Sequence, residues 1–190
     1  IRVGATGKSI DPQGVEFIIS PYDEFAIEEA LRIKEKLGTG EVVGVALDPD
    51  GQDTILRKAL AMGVDRGILI KGGNPFDGAA TAEILATVLK SMSFDLLLFG
   101  KQAIDSDSCQ VPSMVAYHLG LPRANVVTRM ELADKKILCR RQIEGGEELM
   151  ELPLPCLIAC TKGVNEPRYP SLKGIMAAKK KPIQLIDAPK

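Results

Sequence analysis

Short apolar runs alternate with amphipathic stretches through the first part of this chain. The runs at 42–47, 67–70 and 95–99 have the length and apolar content of buried strands. The stretches between them carry apolar side chains at helical spacing: Ile55, Leu56, Ala59 and Leu60 in the first, and Ala80, Ile84, Leu85, Val88, Leu89 and Met92 in the second. Right-handed crossovers of this kind place helices on both faces of a parallel sheet. The pattern therefore predicts a three-layer α/β fold with an open, mostly parallel twisted sheet.

The alternation of predicted strands and helices ends after Pro122. Segments 125–131, 136–143, 147–152 and 156–160 follow one another through short turns, which contain Asp134, Gly145 and Gly146. We expect them to form an antiparallel strand extension of the same domain rather than a second core.

Composition excludes several classes of function. The 190 residues are 45% hydrophobic and 26% charged, which is typical of a soluble globular protein. The formal net charge is -1, so nucleic-acid binding through a general basic field is not predicted. No apolar run approaches the roughly 20 residues that cross a bilayer. We expect no membrane insertion, and a cytoplasmic protein or, in a eukaryote, one of the mitochondrial matrix.

The cysteines and the single histidine do not suggest a metal centre. Cys109, Cys139, Cys156 and Cys160 form no CxxC pair. We predict reduced, mostly buried thiols. His118 shares helical spacing with apolar residues and has no carboxylate at a suitable spacing, so we expect it in the core or at an interface. No set of catalytic residues is predicted.

The turn after the third predicted strand has side chains suited to a ligand. Residues 100–110 read GKQAIDSDSCQ and lead into a predicted helix. In open α/β sheets, such a strand-to-helix corner binds phosphate groups. Gly100 would permit close approach, while Ser108 and Gln110 would add a hydroxyl and an amide. No GxxxxGK[ST] phosphate loop is present, so nucleotide hydrolysis is not expected.

An alternative explanation of this turn needs no ligand. Asp105, Asp107 and Ser108 are common capping residues and could cap the following helix, which places Pro112 in its first turn. A further helix is predicted near the start of the chain, from Pro21. Ser20 is its expected cap, and Asp23 would complete an arrangement like a capping box.

Residues 165–182 read NEPRYPSLKGIMAAKKKP and lack a core-building period. Pro167 and Pro170 each restrict φ and remove a backbone donor, which presents the residues between and after them on a semi-rigid backbone. Leu172 would be an exposed apolar contact for another protein. The alternative is an ordinary surface loop that ends in solvated lysines.

Together, five segments resemble the beta subunits of electron transfer flavoproteins. They are the stretch just quoted, RRQIEGGEELMELPLPCLIAC at 140–160, GKQAID at 100–105, SPYDEFAIEEALRIKEKLG at 20–38, and ALAMG with DRGILI at 59–70. The resemblance implies an adenine-nucleotide-hydrolase-like fold, with a nucleotide-binding domain over 1–164 and a partner-recognition loop and basic tail over 165–190. Family members usually begin with a further strand, which we expect to be missing from these residues.

The resemblance also implies a cofactor site. An alpha subunit would hold the main FAD, and this chain would hold AMP or a second FAD. Ser108, Gln110 and Val111 lean toward the second FAD, whereas Cys109 and Pro112 fit neither pattern, so the choice stays open. The implied cofactor-binding residues are Ser20, Pro21, Tyr22, Asp23, Gly100, Lys101, Gln102, Ala103, Ile104, Asp105, Asp107, Ser108, Cys109, Gln110 and Val111.

The family's function implies an electron carrier rather than a stand-alone enzyme. Electrons would come from an acyl-CoA dehydrogenase or a similar flavin dehydrogenase, as in fatty acid beta-oxidation, and pass to a quinone reductase or another acceptor. The implied docking residues are Arg168, Tyr169, Leu172, Ile175 and Met176. One alternative is a subunit of an electron-bifurcating flavoprotein with a second FAD and NADH oxidation. Another is an adenine-nucleotide-binding regulatory module.

Overall fold

The computed structural model describes residues 2–4, 7, 10, 11, 13–72 and 77–189. The predicted strands at 136–143 and 156–160 have the observed bounds, and the other predicted strands agree to within one or two residues. The helices and strands are α1 Pro21–Leu37, β1 Val43–Asp48, α2 Thr54–Met62, β2 Arg66–Lys71, α3 Gly78–Lys90, β3 Leu96–Gly100, α4 Val111–Leu119, β4 Arg123–Ala133, β5 Lys136–Ile143, β6 Gly146–Pro153, β7 Cys156–Cys160, α5 Leu172–Ala178 and β8 Ile183–Asp187.

The strands form two hydrogen-bonded groups. One group has the order β1-β2-β8 and is parallel throughout. The other has the order β3-β7-β4-β5-β6, in which the first three strands are parallel and the last three are antiparallel. The predicted open, mostly parallel arrangement with an antiparallel extension is confirmed.

Strand β7 is the exception to the predicted extension. It was expected to continue the antiparallel series, but it lies between β3 and β4 and is parallel to both. All five residues of Cys156–Cys160 are buried. A continuous apolar run without alternation is typical of a strand that is covered on both faces, as a central parallel strand is.

Helices cover both faces of the strands, which confirms the three layers. On one face, Ala26 of α1 packs with Ile158 of β7. On the other face, Ala82 of α3 and Val115 of α4 pack with Leu157 of the same strand.

The group β1-β2-β8 is covered in the same way. Helices α1, α2 and α5 share one apolar cluster with Ile183 of β8, and α3 packs on Ile68 and Ile70 of β2. Helix α1 therefore packs on one face of both groups of strands, and α3 packs on the other face of both.

The segment after residue 165 contains secondary structure that was not predicted. Helix α5 packs against α2, and β8 pairs with β2 in parallel. The ammonium of Lys181 donates to the carbonyl oxygens of Leu60 and Val64, while Arg57 donates to those of Ala178 and Lys181. These bonds satisfy carbonyls at the ends of α2 and α5, where a helix leaves its acceptors unpaired. None of the described helices combines the length and the apolar surface needed to span a membrane.

Candidate functional site

The first turn of α1 lies against the end of β3. The backbone N–H of Gly100 donates to Oδ1 of Asp23 at 2.8 Å, and the hydroxyl of Ser20 donates to the carbonyl oxygen of Gln102 at 3.1 Å. The ammonium of Lys101 lies 4.9 Å from the centre of the Tyr22 ring, within the range of a cation–π contact. The two segments expected to share a site are therefore in direct contact.

Gly100 is required at this position by the approach of α1. A Cβ on Gly100 would lie 2.6 Å from the backbone N of Asp23 and 2.6 Å from the carbonyl carbon of Tyr22. The sequence suggested that Gly100 permits close approach of a phosphate, whereas the structure uses its N–H and its missing side chain for contact with α1.

The predicted capping box of α1 is wrong. Ser20 is the N-cap residue and Pro21 follows it, but no side chain caps the helix. The side chains of Ser20 and Asp23 instead form hydrogen bonds with the distant turn. Their polar atoms are therefore not available to cap the helix. Asp23 is exposed as a residue, but its carboxylate is turned toward Gly100. Desolvation raises the pKa of Asp23, and the hydrogen bond from Gly100 only partly offsets this rise.

The turn between β3 and α4 is exposed and is held by its own side chains. Residues 103–110 are all exposed. The amide of Gln102 donates to Asp107, and its oxygen accepts from the thiol of Cys109. Asp107 and Cys109 have φ angles of 53° and 54°, in the left-handed region that few residues other than glycine adopt. The side chain of Asp105 accepts from the backbone N–H of Ser106.

The start of α4 has no side-chain cap. Gln110 is the N-cap residue, and no side chain accepts a hydrogen bond from the first turn of the helix. The alternative in which Asp105, Asp107 or Ser108 caps α4 is therefore wrong, because two of these side chains bond within the turn itself. An uncapped helix start carries partial positive charge and N–H groups that favour an anion.

A third segment adjoins this corner and was missed in the sequence. A Cβ on Gly78, the first residue of α3, would lie 3.7 Å from Oε1 of Gln110 and 3.8 Å from Cγ2 of Val111. Asp77 caps α3 by accepting from the N–H groups of Ala79 and Ala80. The available signal was the glycine-containing sequence KGGNPFDG at 71–78, which follows a predicted strand as the turn at 100–110 does.

The predicted docking residues fall into two groups. Tyr169, Leu172, Ile175 and Met176 are exposed, with Tyr169 at 95% and Leu172 at 85% of their full accessible surface. Arg168 is different, since its guanidinium bonds to two carboxylates of α1. A direct contact of Arg168 with a partner is therefore not what its position favours.

Among the single histidine and the four cysteines, Cys109 alone lies in the candidate site. His118 is exposed, with its ring edge-on to Tyr117 at a centroid distance of 5.9 Å. A position in the core is wrong because α4 turns Val115 and Ala116 inward instead, and a position at an interface stays a prediction. The other three thiols are buried as predicted. Burial raises the pKa of Cys156 to about 11, with a smaller contribution from Cys139. Across the described ranges, no group of histidine, cysteine and carboxylate side chains is arranged to hold a metal ion.

Comparison with known proteins gives a consistent family. Residues 8–190 match the electron transfer flavoprotein domain. The beta subunit of the electron transfer flavoprotein from Syntrophomonas wolfei is 47% identical over 93% of this chain and 70% of its own length. The corresponding subunit from Bacillus subtilis is 41% identical over 96% of this chain and 71% of its own. The caffeyl-CoA reductase-Etf complex subunit CarD from Acetobacterium woodii is 40% identical over 91% and 67%. The chain belongs to the electron transfer flavoprotein family and is related to its beta subunits.

Proposed function

We propose that this chain is the beta subunit of a heterodimeric electron transfer flavoprotein that carries electrons from an acyl-CoA-type flavin dehydrogenase to a quinone reductase or another acceptor. The observation that carries this proposal is the contact of Ser20, Tyr22 and Asp23 with the turn that begins at Gly100. It brings together the two segments that the family resemblance assigns to an adenine nucleotide. FAD held mainly by an alpha subunit would supply the redox chemistry.

The residues at the start of α4 fit a nucleotide phosphate. The helix start is uncapped, and Ser108 and Gln110 stand in the exposed turn beside it. Asp105 and Asp107 oppose an anion by their charge, but hydrogen bonds within the turn engage both carboxylates. Lys101 adds a positive charge beside Tyr22. We infer that these residues bind and orient AMP or the adenylate part of a second FAD.

A second candidate function is a subunit of an electron-bifurcating flavoprotein. Here the same turn would hold a second FAD, and NADH would be the donor. Support comes from the similarity to CarD, which is named as a subunit of a caffeyl-CoA reductase-Etf complex. The residue types of Ser108, Gln110 and Val111 also favour the bifurcating form with a second FAD. The family match argues against a regulatory module that has no flavin partner.

The released cofactors distinguish these functions. The heterodimer would be purified, denatured and its FAD and AMP counted per heterodimer. One FAD with one AMP supports the simple carrier, and two FAD support the bifurcating form. An adenine nucleotide without flavin would support the regulatory module instead. A colourless complex that releases no adenine compound would contradict all three proposals.

We also propose that the exposed side chains of Tyr169, Leu172, Ile175 and Met176 dock the electron-donating dehydrogenase. Their exposure supports this assignment, because large apolar side chains that are grouped and exposed are typical of surfaces that contact another protein. Fatty acid beta-oxidation is the process that such a donor would serve. We place the protein in the bacterial cytoplasm or, in a eukaryote, in the mitochondrial matrix.

A further inference from the structure

The segment that precedes the docking helix α5 is held on α1 by polar contacts. Residues 165–171 form neither helix nor strand. Glu28 accepts from the backbone N–H, Nε and Nη2 of Arg168 at 3.2, 2.7 and 3.2 Å. Glu35 accepts from Nη1 and Nη2 of Arg168 at 2.6 and 3.0 Å. The amide of Asn165 donates to the carbonyl oxygen of Phe25 and to Glu29.

Glu28 has an unusual environment for a carboxylate. It is the one charged residue that is buried among those the structure describes, with 3% of its surface accessible. Besides Arg168 it has one further partner, Nε of Arg32 at 2.8 Å. Desolvation raises the pKa of Glu28, but the hydrogen bonds from Arg168 and Arg32 outweigh it and lower the pKa overall. The carboxylate is therefore charged under ordinary conditions.

An ion pair with a buried carboxylate is a costly way to stabilise a fold, and here Glu28 is buried while the Arg168 side chain is 35% exposed. Apolar side chains of similar volume often pack at least as well, so our hypothesis for this pair is that it fixes local geometry. Here the pair fixes the backbone as well as the side chain of Arg168, since Glu28 binds both. The next residue along the chain is the exposed Tyr169, and α5 begins soon after at Leu172.

We infer that Glu28 is a positioning residue for partner docking, because its hold on Arg168 sets where Tyr169 and Leu172 are presented to the donor flavoprotein. The inference rests on the proposed docking function. In this inference Arg168 binds Glu28 within the chain and does not contact an acidic surface of the partner protein. Glu35 supports the same guanidinium from the next turns of α1.

The test uses the intact heterodimer with the variants Glu28→Gln and Arg168→Gln. Hydrogen exchange of the Arg168 backbone amide, whose N–H donates to Glu28, reports the hold on this segment without any partner. Removing one charged hydrogen-bond partner should speed exchange there about tenfold or more. Arg168→Lys keeps the charge but loses the bidentate geometry, so exchange should be only partly restored. Arg66→Gln is a matched control, because Arg66 forms a similar two-point pair with Glu41 on another part of the surface.

Reduction by the donor dehydrogenase then links position to docking. We expect Arg168→Gln to raise KM with little change in kcat. If Arg168 acts through Leu172, the substitutions Arg168→Gln and Leu172→Ala remove the same contact with the partner. The KM of the double variant should then rise by a much smaller factor than the product of the two single-variant factors. Fully multiplicative effects would show that Arg168 meets the partner directly and would overturn the inference.

The two proposals fail in different ways. Unchanged exchange of the backbone amide at position 168 in both Glu28→Gln and Arg168→Gln would overturn the positioning role, whatever the kinetics. Faster exchange together with a normal KM for Leu172→Ala would instead refute the docking function, and the pair would then serve the fold alone.

Discussion

Gly174 of α5 lies so close to Ala61 of α2 that a Cβ on Gly174 would stand 2.4 Å from the Ala61 carbonyl oxygen. The nearest atom belongs to the backbone, which cannot rotate away as a side chain can. The approach of α5 to α2 therefore depends on one missing methyl group.

Gly174→Ala should displace α5 and lower the free energy of unfolding by about 1–3 kcal/mol, as overpacking does elsewhere. Urea denaturation measures this loss. Gly146→Ala is the control, because a Cβ on Gly146 would meet no atom within 4 Å and should change stability little. Equal stability of the two variants would contradict the close packing of α5.

Leu172→Ala should weaken docking of the donor dehydrogenase without unfolding the protein. The side chain is 85% exposed, so its removal costs the fold little. If Leu172 fills a pocket of the partner, the KM for the dehydrogenase should rise about tenfold, the effect of a moderate hot spot. Stopped-flow reduction of the flavin measures this. Leu185→Ala, at another exposed leucine on β8, should leave the KM unchanged. An equal effect of both substitutions would remove the assignment to Leu172.

Gly100→Ala should damage the candidate nucleotide site through α1. The added methyl group would meet the backbone of Tyr22 and Asp23, and neither can yield without moving the helix start. We expect a loss of about 1–3 kcal/mol in stability, together with loss of the adenine nucleotide from the purified complex. Thermal unfolding and nucleotide extraction check the two effects. Full retention of nucleotide in a folded variant would contradict the site.

Asp65 should make stability depend on acid pH. Its carboxylate bonds to Lys34 at 2.6 Å and to the backbone N–H of Val42 at 2.7 Å. Desolvation raises the pKa of Asp65, but these partners and the charge of Lys181 lower it overall, below the ordinary value of 3.8. Because the folded-state pKa is depressed, this stabilisation is complete well above pH 3.8 and is lost as the pH falls through the lower folded-state value.

The measurement for Asp65 is the free energy of unfolding of the wild type and of Asp65→Asn across acid pH. At neutral pH the variant should be less stable by about 1–3 kcal/mol, the usual effect of losing a charged hydrogen-bond partner. The difference should shrink as acid protonates Asp65 in the wild type. A difference that is constant down to the acid transition would contradict the role of this carboxylate.

Local spacing predicted most of the elements because each has a strong apolar period. The strands at 43–48 and 96–100 are short apolar runs, and the apolar face of α3 contributes Ile84 and Val88 to the core. Pairing order is a long-range property, so the central place of β7 was not evident from its turn-rich neighbourhood. Strand β8 was missed because its short run stands between Pro182 and Pro189 beside the lysines.

The family resemblance predicted that the start of α1 and the turn after β3 share a site, but it did not predict the hydrogen bonds between them. Ser20 and Asp23 have the types and spacing of helix caps, yet their partners lie 82 and 77 residues away. Arg168 has the type expected of a docking contact, while its carboxylate partners are 140 and 133 residues away. Competition between nearby and distant partners for one polar atom is decided by the packed structure, which spacing does not encode.

The inward position of Lys181 has a consequence for the approach of other proteins. Its ammonium is spent on the carbonyls of Leu60 and Val64, while Lys179 and Lys180 are exposed. Of three consecutive cations, Lys179 and Lys180 are therefore the two that can form close ion pairs with an acidic surface, while Lys181 keeps its charge but turns its ammonium inward. Attraction over the Debye length of about 8 Å at physiological ionic strength still involves all three charges, whereas direct contact with a partner at this end of the molecule involves two lysines.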